Sequence, residues 1–155
     1  MRRSADAPNL VVLPPVLFAV TLVAGLLCHW LRPYAPLPIS VARISAVALT
    51  CTGAILAIAA ERVMKRAGTN VLPTQPALAL VTSGPFRFTR NPLYVAATCI
   101  YLGIALWFDA LAPLLLAIPM LVVLHRGVVL REEQYLAAKF GDAYRAYCTR
   151  VRRWL

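Results

Sequence analysis

Residues 10–31 are an unbroken run of 22 residues without Asp, Glu, Lys or Arg. A helix of that length is about 33 Å long, enough to cross a bilayer core of about 30 Å. Three further apolar runs follow in a chain of only 155 residues: 41–60, 92–108 and 110–124. The whole chain is 61% hydrophobic and 14% charged, against about 45–50% and about 25% in soluble domains. These values exclude a disordered chain, a disulfide miniprotein and a soluble nucleic-acid binder. They leave one integral membrane domain, residues 1–155.

The expected fold is all-α, with four transmembrane helices and an amphipathic helical tail. The spans are placed at 10–31, 41–60, 92–108 and 110–124, with a polar loop at 61–91 and the tail at 125–155. Only Asp109 clearly separates the last two spans, so they read as a short helical hairpin. Each is short for a full crossing. Met1-Arg2-Arg3 ahead of an apolar run resembles a signal peptide, but the run exceeds a typical h-region and no A-x-A site follows. The segment reads as a retained anchor. Pro33, Pro36 and Pro38 stiffen the first loop.

The net charge is +10, from 16 Lys+Arg against 6 Asp+Glu. Fourteen of the basic residues fall in the N-terminal tail (Arg2, Arg3), the 61–91 loop and the 125–155 tail; only Arg32 and Arg43 fall in the first loop and its flank. By the positive-inside rule this places both termini and the central loop in the cytoplasm. Basic residues between apolar runs suit anionic lipid head groups better than nucleic acid. Cys28, Cys51, Cys99 and Cys148 lack metal-ligand spacing, and His29 and His125 are the two histidines, so no metal site is expected. The pattern specifies no oligomeric state.

Chemistry concentrates in three stretches. In Gly84-Pro85-Phe86-Arg87-Phe88-Thr89-Arg90-Asn91-Pro92-Leu93-Tyr94, Pro92 suits a first helical position and Asn91 its cap. A helix start with Arg87 and Arg90 beside it can seat a carboxylate or phosphate. It can equally be an ordinary cap whose arginines reach lipid phosphates. In Arg131-Glu132-Glu133-Gln134-Tyr135-Leu136, the two acids flank the apolar stripe, at about −40° and +60° from Leu136. Acids so placed need cations or donors, supplied either by a ligand or by Arg87, Arg90 or Arg131. In Phe140-Gly141-Asp142-Ala143-Tyr144-Arg145-Ala146-Tyr147, Gly141 can end one helix and Asp142 cap the next. Tyr144 and Tyr147 then share a face, for packing or for a site.

Taken together, these motifs resemble the isoprenylcysteine carboxyl methyltransferase and phospholipid methyltransferase superfamily of integral membrane enzymes. The family pattern has a Gly-Pro-aromatic-Arg-aromatic lead, Arg-His-Pro-x-Tyr, a hydrophobic hairpin, Glu-Glu, and Phe-Gly-x-x-Tyr-x-x-Tyr. Here these stand as Gly84–Phe88, Arg90-Asn91-Pro92-Leu93-Tyr94, Glu132-Glu133, and Phe140-Gly141 with Tyr144 and Tyr147. Gly68-Thr69-Asn70 and Pro73 resemble the lead-in of small bacterial members. Asn91 departs from the family His and cannot titrate; Ala96 stands where many members carry Gly.

The resemblance implies S-adenosylmethionine as methyl donor and a lipid-like or prenylated acceptor entering from the bilayer. It carries cofactor contacts onto Arg90, Pro92, Tyr94, Glu132 and Glu133. Arg87, Asn91 and Tyr144 complete the candidate binding set, and Arg90, Asn91 and Glu133 are the candidate catalytic residues. A carboxylate or thiolate acceptor needs no base, whereas an amine must first lose a proton. With Asn at 91 no strong base stands out, which favours an acceptor that is already nucleophilic; among these the resemblance implies isoprenylcysteine carboxyl O-methylation. The alternatives are phospholipid N-methylation, a small four-helix transporter, or a membrane scaffold.

Overall fold

The computed structural model describes residues 8, 10–34 and 37–155. Arg2, Arg3 and Pro36, used above for topology and loop stiffness, lie outside them. Among the described residues every regular element is helical: α1 (Pro14–Leu31), α2 (Ile39–Arg66), a 3-10 turn (Gly84–Arg87), α3 (Pro92–Trp107), α4 (Leu111–Leu124), a π turn (His125–Val129) and α5 (Leu130–Arg150).

Three of these stretches are long and apolar enough to cross a membrane: Pro14–Leu31, Ile39–Arg66 and the continuous Leu111–Arg150. The 16 residues of α3 make a shorter apolar helix, about 24 Å against a core of about 30 Å. Three helices are thus long and apolar enough to cross, and the helix at the third expected position is shorter, as its length in the sequence suggests.

Three of the expected boundaries are corrected. Leu13 precedes α1 as its N-cap residue, and Pro14 begins the helix because its missing N–H is not needed there. α2 runs on to Arg66, six residues past the expected end. No Gly or Pro interrupts Glu61–Arg66, and a Glu61–Lys65 ion pair of 2.6 Å supports that turn. The polar loop therefore starts after Arg66. The third correction concerns the tail, which is not a separate element. α4 passes through the π turn into α5 without a loop, since His125–Val129 contains no helix breaker except the tolerated Gly127. The break comes at Gly141, whose φ of 53° and ψ of −124° bend α5 where the sequence pattern expects it.

Packing pairs α2 with α3 and α1 with α4. Both interfaces use small residues, as membrane helices do where burial from water cannot drive association. α2 buries Ala42, Ala46, Gly53 and Ala60, and α3 buries Ala96, Gly103 and Ala105. A Cβ at Gly53 would lie 2.7 Å from the Ala96 carbonyl oxygen, so the helices touch there backbone to backbone. α1 and α3 meet more sparingly, at Phe18 and Tyr101, whose rings stand edge-on at 6.1 Å. The Tyr101 hydroxyl donates to the Pro113 carbonyl at 2.9 Å, tying α3 to α4. Next to this core, Leu10, Leu124, Val128 and Val129 form a buried cluster that receives Trp154 from the chain's end. That cluster brings α5 and residues 151–155 back to the start of α3.

Candidate functional site

The site is built around the start of α3. Thr89 is buried, and its Oγ1 accepts the Asn91 N–H at 3.2 Å while donating to the Arg153 carbonyl at 3.1 Å. Asn91 precedes Pro92, as expected of an N-cap, but its side chain does not cap the helix. Its Nδ2 donates instead to the Arg153 carbonyl at 2.9 Å. The Arg90 N–H donates to the Arg152 carbonyl at 3.0 Å. The turn and the C-terminal segment thus satisfy each other's backbone groups.

Arg90 and α5 supply the charged cluster. The Arg90 Nη1 lies 3.2 Å from Glu133, with both side chains about one-seventh exposed (13% and 14%). The same nitrogen donates to Cys148 Sγ at 2.7 Å. The Arg153 Nε and Nη2 donate to the two Glu133 oxygens at 2.9 and 2.8 Å, a bidentate pair. This contact raises the Arg153 pKa, against the opposing cost of burial. The Arg90 Nε is buried with no hydrogen-bond partner.

Glu132 has a different setting. Among the described residues no Lys or Arg lies within ion-pair distance of it, and its Oε2 accepts the Tyr94 hydroxyl at 2.8 Å. Charges at Arg126 and Arg131 end the apolar stretch of this helix before Glu132 is reached. Burial pushes the Glu132 carboxyl above its ordinary pKa; the Tyr94 hydrogen bond works against this, and the Glu133 charge adds to it.

Two cavities meet here. One, of about 90 Å³, is the more polar of the two and lies between the 69–81 loop and α5; Arg90, Asn91, Glu132, Glu133, Tyr144 and Tyr147 face it. The other, of about 420 Å³, runs between α1 and α3 past Phe18, Leu22, Leu93, Ala97, Ile100 and Ile104. Arg90, Asn91 and Glu132 line both. The loop is pinned over the junction: the Ala77 N–H donates to the Tyr135 hydroxyl at 3.1 Å, and the Tyr147 hydroxyl donates to the Phe86 carbonyl at 2.7 Å.

Of the residues selected from sequence, Arg90, Asn91, Pro92, Tyr94, Glu132, Glu133 and Tyr144 come together. Arg87 is exposed and lines neither cavity. Sequence reasoning did not single out Thr89, Cys148 or Arg153. A lone Thr, an unpaired Cys and one arginine in a basic tail carry no spacing signal, and their partners lie 20 to 64 residues away.

The sequence profile of the phospholipid methyltransferase family matches residues 41–143. The chain belongs to that family. An uncharacterized protein of Haemophilus influenzae (strain ATCC 51907 / DSM 11121 / KW20 / Rd) is 40% identical over 63 residues, which is 41% of this chain and 100% of that protein. No solved structure matches the chain significantly. Membership makes this phospholipid methyltransferase relative a membrane methyltransferase. The matched residues run from α2 to just past Gly141. They hold Arg90, Glu132 and Glu133, whereas Tyr144, Cys148 and Arg153 lie beyond them and complete the cluster.

Proposed function

We propose that this protein moves a methyl group from S-adenosylmethionine to the head group of a lipid-like acceptor. The observation that carries this reading is the junction of a charged cavity with an apolar one through Arg90, Asn91 and Glu132. Such a junction suits two ligands of opposite character that must meet at one point. When bound, the donor supplies an activated methyl on a sulfonium. Its amino-acid end fits the residues present. The unpartnered Arg90 Nε offers a donor to its carboxylate. The 90 Å³ lobe alone is below the ~300–1,000 Å³ of ligand pockets, so the donor would also occupy the shared junction.

The 420 Å³ groove between α1 and α3 suits a hydrocarbon chain. For the head group we favour an amine over the carboxylate that Asn91 alone suggests. An amine must shed a proton before it can attack, and Glu132 is a carboxylate whose buried setting favours taking one. A carboxylate acceptor of the isoprenylcysteine type is the second reading; it would stand beside Glu132 without a base, and only a protonated Glu132 would tolerate it. Both termini and the site are assigned to the cytoplasmic face of a bacterial inner membrane. The fourteen-to-two partition of basic residues supports this side, and anionic lipids would complement it.

Purified protein in vesicles should transfer label from methyl-labelled S-adenosylmethionine to an aminophospholipid. Label entering only a prenylcysteine would replace the amine reading with the carboxylate one. No binding of the donor at millimolar concentration would sink the enzyme reading and return the transporter or scaffold.

A further inference from the structure

The chain beyond α5 is a strap across the start of α3. Its backbone is held at three points: the Arg152 carbonyl by the Arg90 N–H, and the Arg153 carbonyl by both Thr89 Oγ1 and Asn91 Nδ2. Its end is anchored by Trp154, which packs on the Leu10–Leu124–Val128–Val129 cluster with its ring 6.1 Å from His125. A backbone fixed on both sides of Arg153 aims that side chain, and what it meets is Glu133. Both guanidinium donors engage both carboxylate oxygens, a geometry that lysine cannot reproduce.

Charge bookkeeping gives this contact a purpose. Glu133 lies between two arginines, and Arg153 holds it through two hydrogen bonds while Arg90 touches it with one nitrogen at 3.2 Å. The cluster keeps a net positive charge, and Arg90 keeps a buried N–H without an acceptor. Remove Arg153 and Glu133 has Arg90 as its remaining ion-pair partner. The carboxylate would then neutralise Arg90, which lines both cavities.

We infer that Arg153 is a positioning residue for the donor site: it occupies Glu133, and so leaves the Arg90 Nε available to the carboxylate of an amino-acid-bearing ligand. This rests on the S-adenosylmethionine reading above. The C-terminal strap thereby belongs to the binding machinery, although Arg153 lines neither cavity and lies outside the family match.

Two probes separate this role from a merely structural one. S-adenosylhomocysteine carries the amino-acid end, and 5′-deoxy-5′-methylthioadenosine is the same nucleoside thioether without it. Calorimetry on the full chain in nanodiscs would compare wild type, Arg153→Ala, Arg153→Lys and Arg153→Ala combined with Glu133→Gln. Arg153→Ala should weaken S-adenosylhomocysteine by about tenfold or more and leave methylthioadenosine within about twofold. Arg153→Lys should fall between. Adding Glu133→Gln to Arg153→Ala should recover most of the loss, because the competing charge is gone. Equal weakening of both probes, or no recovery in the double variant, would overturn the inference while leaving the donor reading intact. Wild type binding neither probe would overturn both.

Discussion

At the residue scale, the site is a set of charges whose partners decide their roles. Arg90 is central because it has both an ion pair and an unpartnered buried N–H. Replacing it with alanine should cost ~1.5–3 kcal/mol of donor binding, or about ten- to a hundredfold in affinity. Calorimetry with S-adenosylhomocysteine tests this, and unchanged affinity would place the donor elsewhere. Glu132 makes a second prediction. Its folded pKa is raised, so the folded state holds this proton more tightly than the unfolded chain does. The stabilisation is complete below the ordinary Glu range and is lost as pH rises through the folded pKa. Glu132→Gln should therefore be more stable than wild type at neutral pH and should lose less stability between about pH 4 and pH 8. Thermal unfolding of the two proteins across that range reads the difference. Parallel curves would mean that Glu132 carries no such burden.

At the element scale, the frame depends on backbone contact between α2 and α3. Gly53→Val would push side-chain atoms into the Ala96 carbonyl and the Ile100 side chain, which lie 2.7 and 2.8 Å from the added Cβ position. Overpacking of this kind costs about 1–3 kcal/mol. A clear fall in the unfolding temperature in detergent is expected, and wild-type stability would show that the helices separate freely. The orientation of the elements is a further prediction. Reporter fusions at residues 75 and 155 should read cytoplasm, and a fusion at 109, in the turn between α3 and α4, should read periplasm. A periplasmic signal at 75 would invert the proposed side of the site.

At the scale of the whole molecule, the feature that matters is a groove between helices that are not each other's main partners. α2 packs on α3 and α1 on α4, which leaves the α1–α3 seam open enough for a 420 Å³ apolar cavity leading to Glu132. Each methylene buried in it is worth about 0.8 kcal/mol at most. Acceptors with one head group and increasing chain length should therefore show rising kcat/KM until the groove is filled. Equal values for short soluble and long lipid-like acceptors would mean that the groove does not hold the acceptor.

The sequence alone determined what local pattern can encode. Long uncharged runs demand helices in lipid, because an unpaired backbone group there is costly. Pro92, Asp109 and Gly141 mark where helices begin, turn and bend, since φ preference and missing donors act within a residue or two. The Arg90–Tyr94, Glu132-Glu133 and Tyr144–Tyr147 motifs named most of the residues that the fold brings together at the two cavities. Two kinds of fact needed the tertiary structure. One is continuity: α4 and α5 form one helix because nothing between 125 and 129 stops it, and that emerges only when both ends are packed. The other is pairing at a distance. Glu132 and Glu133 are neighbours of the same type, yet one meets Tyr94 and the other meets Arg90 and Arg153. Their sequence separations from those partners range from 20 to 43 residues, and charge pairing has no periodicity for a sequence to display. Which acid meets Tyr94, and which meets the two arginines, is set by how the strap folds back over α3.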